Sequence, residues 1–301
     1  MRILHLDAGR EMRGGQWQVL RLLEGLAAAG VESTLLARRD APLFAAARKQ
    51  GWRVEPLGLM RAAGLLRAHH VIHAHDARSH SLAACLRRLP LVVSRRVAFP
   101  VGSQLTQWHG SRWKYGRARR YLAVSEFVKQ VLMEGGVPEE KIAVVYDGVP
   151  ILEKARGASV LTPAYSGDPK KGVPLAHEAA CLAGVVLKSA AHLERDLQDA
   201  AVFVYVTYSE GLGSGALMAM SAGVPVVASK VGGLPEIIRH GENGLLVENS
   251  PAAIAAAIRQ LLDHPDLARR IGAAARHTVI ERFTIDHMVR RTMEVYRQVT
   301  I

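Results

Sequence analysis

No apolar run in the chain approaches the roughly 18 to 20 residues that cross a bilayer, which excludes a membrane-spanning helix as a reading of any segment. The opening residues, Met1 to Asp7, are broken by Arg2, His5 and Asp7 too early for a secretory leader, so a cytoplasmic protein is expected. Cysteine is nearly missing. Cys85 and Cys181 both fall in apolar helical stretches and read as small buried hydrophobes, not as a disulfide or a catalytic pair. There is no internal repeat, no heptad run and no low-complexity tract, so solenoids, coiled coils and disordered tails drop out.

Acid is missing in one place. Residues 1–150 carry 23 Lys+Arg against 12 Asp+Glu, whereas residues 151–301 carry 16 against 15, so the net charge of +12 comes from the first half. Between Asp76 and Glu126 there is no acidic residue at all, while Arg95, Arg96, Arg112, Lys114, Arg117, Arg119 and Arg120 alternate with Phe99, Trp108, Trp113 and Tyr115. That field suits an anionic partner: a phospholipid surface, a phosphorylated glycolipid or a nucleic acid. A solvated basic face without a partner is the plain alternative. Nucleic acid is disfavoured, because no nucleic-acid module pattern is present and half the chain is charge-balanced.

What is present in quantity is alternation of short apolar runs with amphipathic segments, the pattern of βα units feeding a parallel sheet. Strands are expected at Ile3 to Leu6, Thr34 to Ala37, Val54 to Leu57, Val71 to Ala74, Leu91 to Ser94, Tyr121 to Ser125 and Ile142 to Tyr146, with a first helix from Gln16 to Ala29. After a polar pause at Glu153 to Gly157 the pattern resumes with Val160 to Thr162. The reading is two α/β domains in series, 1–150 and 151–301, with the final helix free to pack back on the first. In the second, strands are expected at Val185 to Leu187, Val202 to Val206 and Val224 to Ala228, with helices from Gly172, Gly215, Pro251, Leu267 and Ile285.

The stretch with most chemistry runs from Tyr208 to Glu236. A strand leads into Glu210, a glycine-rich turn of Gly211, Leu212, Gly213 and Ser214 follows, and a helix opens at once. Small residues let backbone amides approach a ligand, and a helix N-terminus offers unpaired donors to a diphosphate. Glu210 stands where it can accept hydrogen bonds from sugar hydroxyls. The same residues also fit a tight turn required only for helix–strand packing.

Taken together, Ser209 to Val247 resembles the donor-binding signature of retaining glycosyltransferases of family 4, with its E-G-x-G, G-x-P-V-V-A-S, G-G-x-P-E and G-x-N-G-L-L-V elements in order. The resemblance implies the GT-B fold: two Rossmann-like, doubly wound parallel-sheet domains facing across a cleft. It further implies a nucleotide-sugar donor on the C-terminal domain, a glycan or glycolipid acceptor of cell-envelope or lipopolysaccharide type on the N-terminal one, and no metal or other cofactor. Gly14 and Gly15, within Arg13-Gly14-Gly15-Gln16, resemble the family's turn that approaches the donor from the other domain. Lys171, in Lys170-Lys171-Gly172, resembles the lysine facing the donor diphosphate, and with Glu210 it is the expected catalytic pair. His75, Arg95, Arg96, Arg112 and Lys114 are the candidates for an anionic acceptor or membrane headgroup at the inner face of the membrane.

The chain departs from the family pattern and reads as an abbreviated, divergent member. Met218 stands where a second glutamate normally grips the ribose, and Ala164 to Gly167 lacks the usual arginine. The segment from Ser159 to Asp199 is short, as if one βα unit were trimmed. His73-Ala74-His75 ends a predicted strand with both imidazoles on one side, but no further cluster completes a zinc site, so a structural or acceptor-facing role is expected. The departures keep two alternatives open: a non-catalytic binder of sugar nucleotides or glycolipids, and a nucleotide-sugar epimerase.

Overall fold

The computed structural model describes residues 1–86, 88–98, 110–165 and 167–300, with the backbone alone for 110–112. The chain forms two compact units, Met1–Gly148 joined by Ile285–Ile301, and Val149–Thr284. The final helix is thus part of the first unit, and the second is correspondingly shorter than 151–301. Among the described residues no helix is long and apolar enough to cross a membrane.

In unit 1 seven parallel strands lie in the order β3-β2-β1-β4-β5-β6-β7. They are β1 (Arg2–Asp7), β2 (Glu32–Ala37), β3 (Val54–Pro56), β4 (Val71–Ala74), β5 (Leu91–Arg95), β6 (Arg120–Ala123) and β7 (Ile142–Val144). Crossovers are made by α1 (Gly14–Ala28), α2 (Pro42–Lys49), α3 (Leu59–Leu65), α4 (Ala77–Ala84), α5 (Gly110–Arg117) and α6 (Glu126–Glu134). Strands covered on both faces need no polar alternation, and β1 and β4 are buried almost throughout.

Unit 2 holds five parallel strands, β8 (Ser159–Pro163), β9 (Leu187–Ala190), β10 (Ala200–Tyr205), β11 (Val226–Ser229) and β12 (Leu245–Val247), in the order β12-β11-β10-β8-β9. Its helices are α7 (Val173–Ala183), α8 (Leu193–Asp196), α9 (Ser214–Ser221), α10 (Leu234–Ile237), α11 (Pro251–Asp263) and α12 (Pro265–Arg282). The last helix, α13 (Ile285–Thr300), returns to unit 1, where Met288, Val289, Val295, Tyr296 and Val299 share a core with Ile3, Leu22 and Val92. It lies close on α1, because any side chain at Gly25 would meet Val289.

Both sheets reverse their direction of winding once. In unit 1 the reversal lies between β1 and β4, in unit 2 between β8 and β10. Beyond the carboxyl ends of such strand pairs the outgoing loops diverge and leave a crevice, the usual ligand site of doubly wound sheets.

Two strands begin later than the sequence suggests. Helix α7 ends on Gly184 (φ 71°), and the Val185 amide turns back to the Ala180 carbonyl at 3.0 Å. Helix α9 ends the same way, with Gly223 at φ 73° and the Val224 amide on the Ala219 carbonyl at 3.0 Å. Each valine closes a helix instead of opening a strand, so β9 starts at Leu187 and β11 at Val226. The cysteines also differ from expectation: both are exposed, Cys85 as the residue capping α4 and Cys181 on the side of α7 away from its buried Ala176, Ala179 and Ala180.

Candidate functional site

At the switch point of unit 2 the loops after β8 and β10 are stitched together. Lys171 and Thr207 form an antiparallel bridge, the Gly172 amide donates to the Val206 carbonyl at 3.0 Å, and the Tyr208 amide to Lys170 at 2.8 Å. Glycine suits position 172, since a Cβ there would come 2.5 Å from the Val206 side chain. The lysine of the Lys-Gly step is thereby fixed beside the end of β10. Its Nζ lies 2.7 Å from Glu210 Oε2, with the lysine side chain 36% exposed and the glutamate 15%. Tyr205 Oη donates to the same Oε2 at 2.7 Å, and the Gly211 amide donates to Oε1 at 3.2 Å.

The turn after Glu210 rests on a second loop. A Cβ at Gly232 would run into the Glu210 backbone, and one at Gly233 into the backbone of Gly211 and Leu212. The Gly-Gly pair therefore holds the acidic turn from beneath. Within the turn Gly211, Leu212 and Gly213 are buried, whereas Glu210, Ser214 and Gly215 reach the surface. The Leu212 side chain belongs to the core at 1% exposure. Helix α9 opens on Gly213 (φ 108°), three residues after Glu210, with no side-chain cap on its first amides, the groups that bind anions at helix starts. Met218, on the same helix, is buried at 2% exposure.

A polar network anchors this end of the sheet. Ser229 Oγ accepts from the Thr207 amide at 2.9 Å, and Asn249 Nδ2 donates to the Thr207 carbonyl at 3.0 Å. Sequence reading missed both Tyr205 and Asn249: Asn249 meets Thr207 only across 42 residues, and Tyr205, five residues before Glu210, reads as one more buried residue of β10.

At the switch point of unit 1, Asp7 ends β1 and accepts from the Gly9 amide at 2.8 Å and from Gln16 Nε2 at 3.2 Å. Asp76 follows β4, caps α4 through the Arg78 and Ser79 amides, and accepts from the Ala8 amide at 2.6 Å. Burial, then the charge of Asp76, raises the Asp7 carboxyl. Gly14 and Gly15 open α1 nearby, and a Cβ at Gly15 would sit 3.9 Å from Arg96.

Arg96 is held from two sides. Its Nε donates to Asp147 at 3.2 Å, with the two side chains 13% and 11% exposed, and its Nη1 lies 3.4 Å from His75 Nδ1. His75 Nε2 in turn meets His5 Nδ1 at 3.0 Å. An arginine only donates, so His75 accepts on Nδ1 and donates from Nε2; this tautomer is assigned from the partners. His73 spends both nitrogens inside, on Tyr296 Oη at 2.6 Å and Ser94 Oγ at 2.8 Å. Burial is the first cause that lowers all three imidazoles, His5 to about 3, so they are neutral near pH 7. A narrow cleft beside them is lined by His73, Ser94, Arg96, Asp147, Met288 and Thr292.

Several surface candidates are thereby relocated. His75 is 6% exposed and lies against Arg96. Lys114 packs on α4, its Nζ on Ser81 Oγ at 3.2 Å, and desolvation lowers its pKa. Arg95 is partly buried at the end of β5. The Arg112 side chain lies outside the described residues, as do Phe99 and Trp108. Among the described residues the ring nitrogens of His5, His73 and His75 lie within 4.8 Å of one another, a spacing open to a metal ion. The guanidinium against His75 opposes a second cation there, and both nitrogens of His73 are already spent.

Comparison with known proteins adds the following. The family model for glycosyl transferases group 1 matches residues 186–278, and that for Glycosyltransferase Family 4 matches residues 12–151. The alpha-maltose-1-phosphate synthase of Mycolicibacterium smegmatis is 41% identical over 117 residues, covering 36% of this chain and 30% of that protein. The D-inositol 3-phosphate glycosyltransferase of Streptomyces coelicolor is 46% identical over 99 residues, 32% of this chain and 21% of that protein. The matched segment thus spans less than a third of either relative's own length. Among solved structures, Anabaena HepE in complex with UDP superposes with a TM-score of 0.87 at 17% identity, covering 99% of this chain and 100% of that one.

Proposed function

The chain belongs to the GT-B glycosyltransferases of family 4, and from that premise we propose that it moves a glycosyl group from a nucleoside-diphosphate sugar to an acceptor hydroxyl, retaining the anomeric configuration. The observation that carries this reading is the Lys171–Glu210 pair, 2.7 Å apart, beside an uncapped helix start at the switch point of unit 2. Lys171 and the first amides of α9 take the diphosphate, and Glu210 accepts hydrogen bonds from the sugar hydroxyls. Breaking the anomeric bond leaves negative charge on the departing diphosphate and positive charge on the sugar ring. An ammonium and fixed amides meet the first, with Lys171 as the cation in place of a metal ion, and a carboxylate meets the second.

Unit 1 takes the acceptor in this proposal. Arg96, kept in one orientation by Asp147 and neutral His75, pairs with an anionic group of a glycan or glycolipid acceptor of the cell envelope. The acid-free segment from Asp76 to Glu126 suits peripheral contact with an anionic membrane at its cytoplasmic face.

Thermal unfolding with UDP-, GDP- and ADP-glucose tests the donor side. At a concentration about 100 times its Kd, the right donor stabilises the protein by about 2.7 kcal/mol. Absence of stabilisation by all three would contradict the reading. NMR of the product anomer then tests retention.

A further inference from the structure

We propose that Tyr205 is a positioning residue for sugar recognition: its hydroxyl holds the Glu210 carboxylate in place when Lys171 turns to the diphosphate. The inference rests on the proposed donor site and assigns a role to a residue outside the family signature.

Glu210 Oε2 has two side-chain donors, Lys171 Nζ and Tyr205 Oη, each at 2.7 Å. They are not equivalent. Lys171 carries a charge on a flexible stem that is one-third exposed, so an incoming diphosphate competes with Glu210 for it. The phenol is neutral and fixed. Its ring lies beneath the first turn of α9, where a Cβ at Gly215 would come 2.9 Å from Cε2, and the residue is 9% exposed. Burial first, then the Glu210 charge, pushes the phenol well above its ordinary range, so it stays protonated and goes on donating.

A carboxylate repels a diphosphate and accepts from hydroxyls, so Glu210 addresses the sugar while Lys171 addresses the phosphates. Loss of the phenol therefore touches only the sugar part of donor affinity. Tyr205→Phe keeps the ring under α9 and removes only the hydroxyl.

The test compares two probes by calorimetry: the UDP-, GDP- or ADP-glucose that wild-type protein binds best, and the corresponding bare nucleoside diphosphate. Tyr205→Phe is expected to weaken the glucose form by about tenfold and to leave the bare diphosphate within about twofold. Glu210→Gln follows the same pattern, and adding Tyr205→Phe to it costs little more, because the two act through one contact. Lys171→Ala weakens both probes. Equal weakening of both probes by Tyr205→Phe would make Tyr205 merely structural, and no change in either would also overturn the proposal. If wild-type protein binds none of the nucleotide sugars, the donor reading itself fails, a result distinct from either of these.

Discussion

The two units each hold a cation beyond the carboxyl ends of their strands, Lys171 after β8 and Arg96 after β5, and use it in opposite ways. In unit 2 the cation at the switch point is Lys171, on a flexible stem that is one-third exposed and paired with a carboxylate it can leave. In unit 1 the cation is Arg96, 13% exposed and fixed between Asp147 and an imidazole that is itself backed by another. A lysine in that setting exchanges partners, whereas an arginine so held presents a preset direction. The carboxyl ends of the two sheets thus carry an adaptable cation in one unit and a held one in the other.

Substitution at the glycine turns should separate the units most widely. Gly232 has φ 56° and lies directly on the Glu210 backbone. Gly232→Ala is expected to cost about 2–4 kcal/mol in urea unfolding and to abolish donor stabilisation. Among the described residues, a methyl added at Gly15 would meet only Arg96, at 3.9 Å, so alanine should be accepted within about 0.5 kcal/mol. Comparable losses at both positions would remove the contrast.

Acid gives a smaller and differently placed effect. His5, His73 and His75, three of the five described histidines that burial holds low, form one cluster in unit 1. Their folded forms hold protons less tightly than the unfolded chain, so stability is fully present above about pH 6.5. It falls as pH drops below that value, down to about 3 for His5. About one pH unit below 6.5, each contributes a loss of about 1 kcal/mol. Asp7, whose carboxyl is raised, works the other way at lower pH and offsets part of it. Hydrogen exchange at about pH 7 and about pH 5.5 should show protection falling in unit 1 more than in unit 2; equal falls would contradict the buried-imidazole account.

Much of this is legible before folding. Apolar runs mark the strands, and the two motif residues Lys171 and Glu210, singled out from sequence, lie 2.7 Å apart. Misreadings come where one residue type serves two ends: Val185 and Val224 look like strand starts and act as helix closures. Cys85 and Cys181 turn out exposed because an apolar helical stretch does not say which of its faces is covered. Asp147 and Tyr296 escape for a different reason. Tyr296 meets His73 across 223 residues and Asp147 meets Arg96 across 51, and no local pattern announces such a pair.

The account depends most on Lys171 as the cation that receives the diphosphate. Calorimetric titration of wild-type protein and Lys171→Ala with the bare nucleoside diphosphate of the preferred donor, at low and at moderate salt, addresses it directly. Affinity should fall about 10- to 100-fold in the variant, with a weaker dependence on salt. Undiminished affinity and an unchanged salt dependence would contradict the account.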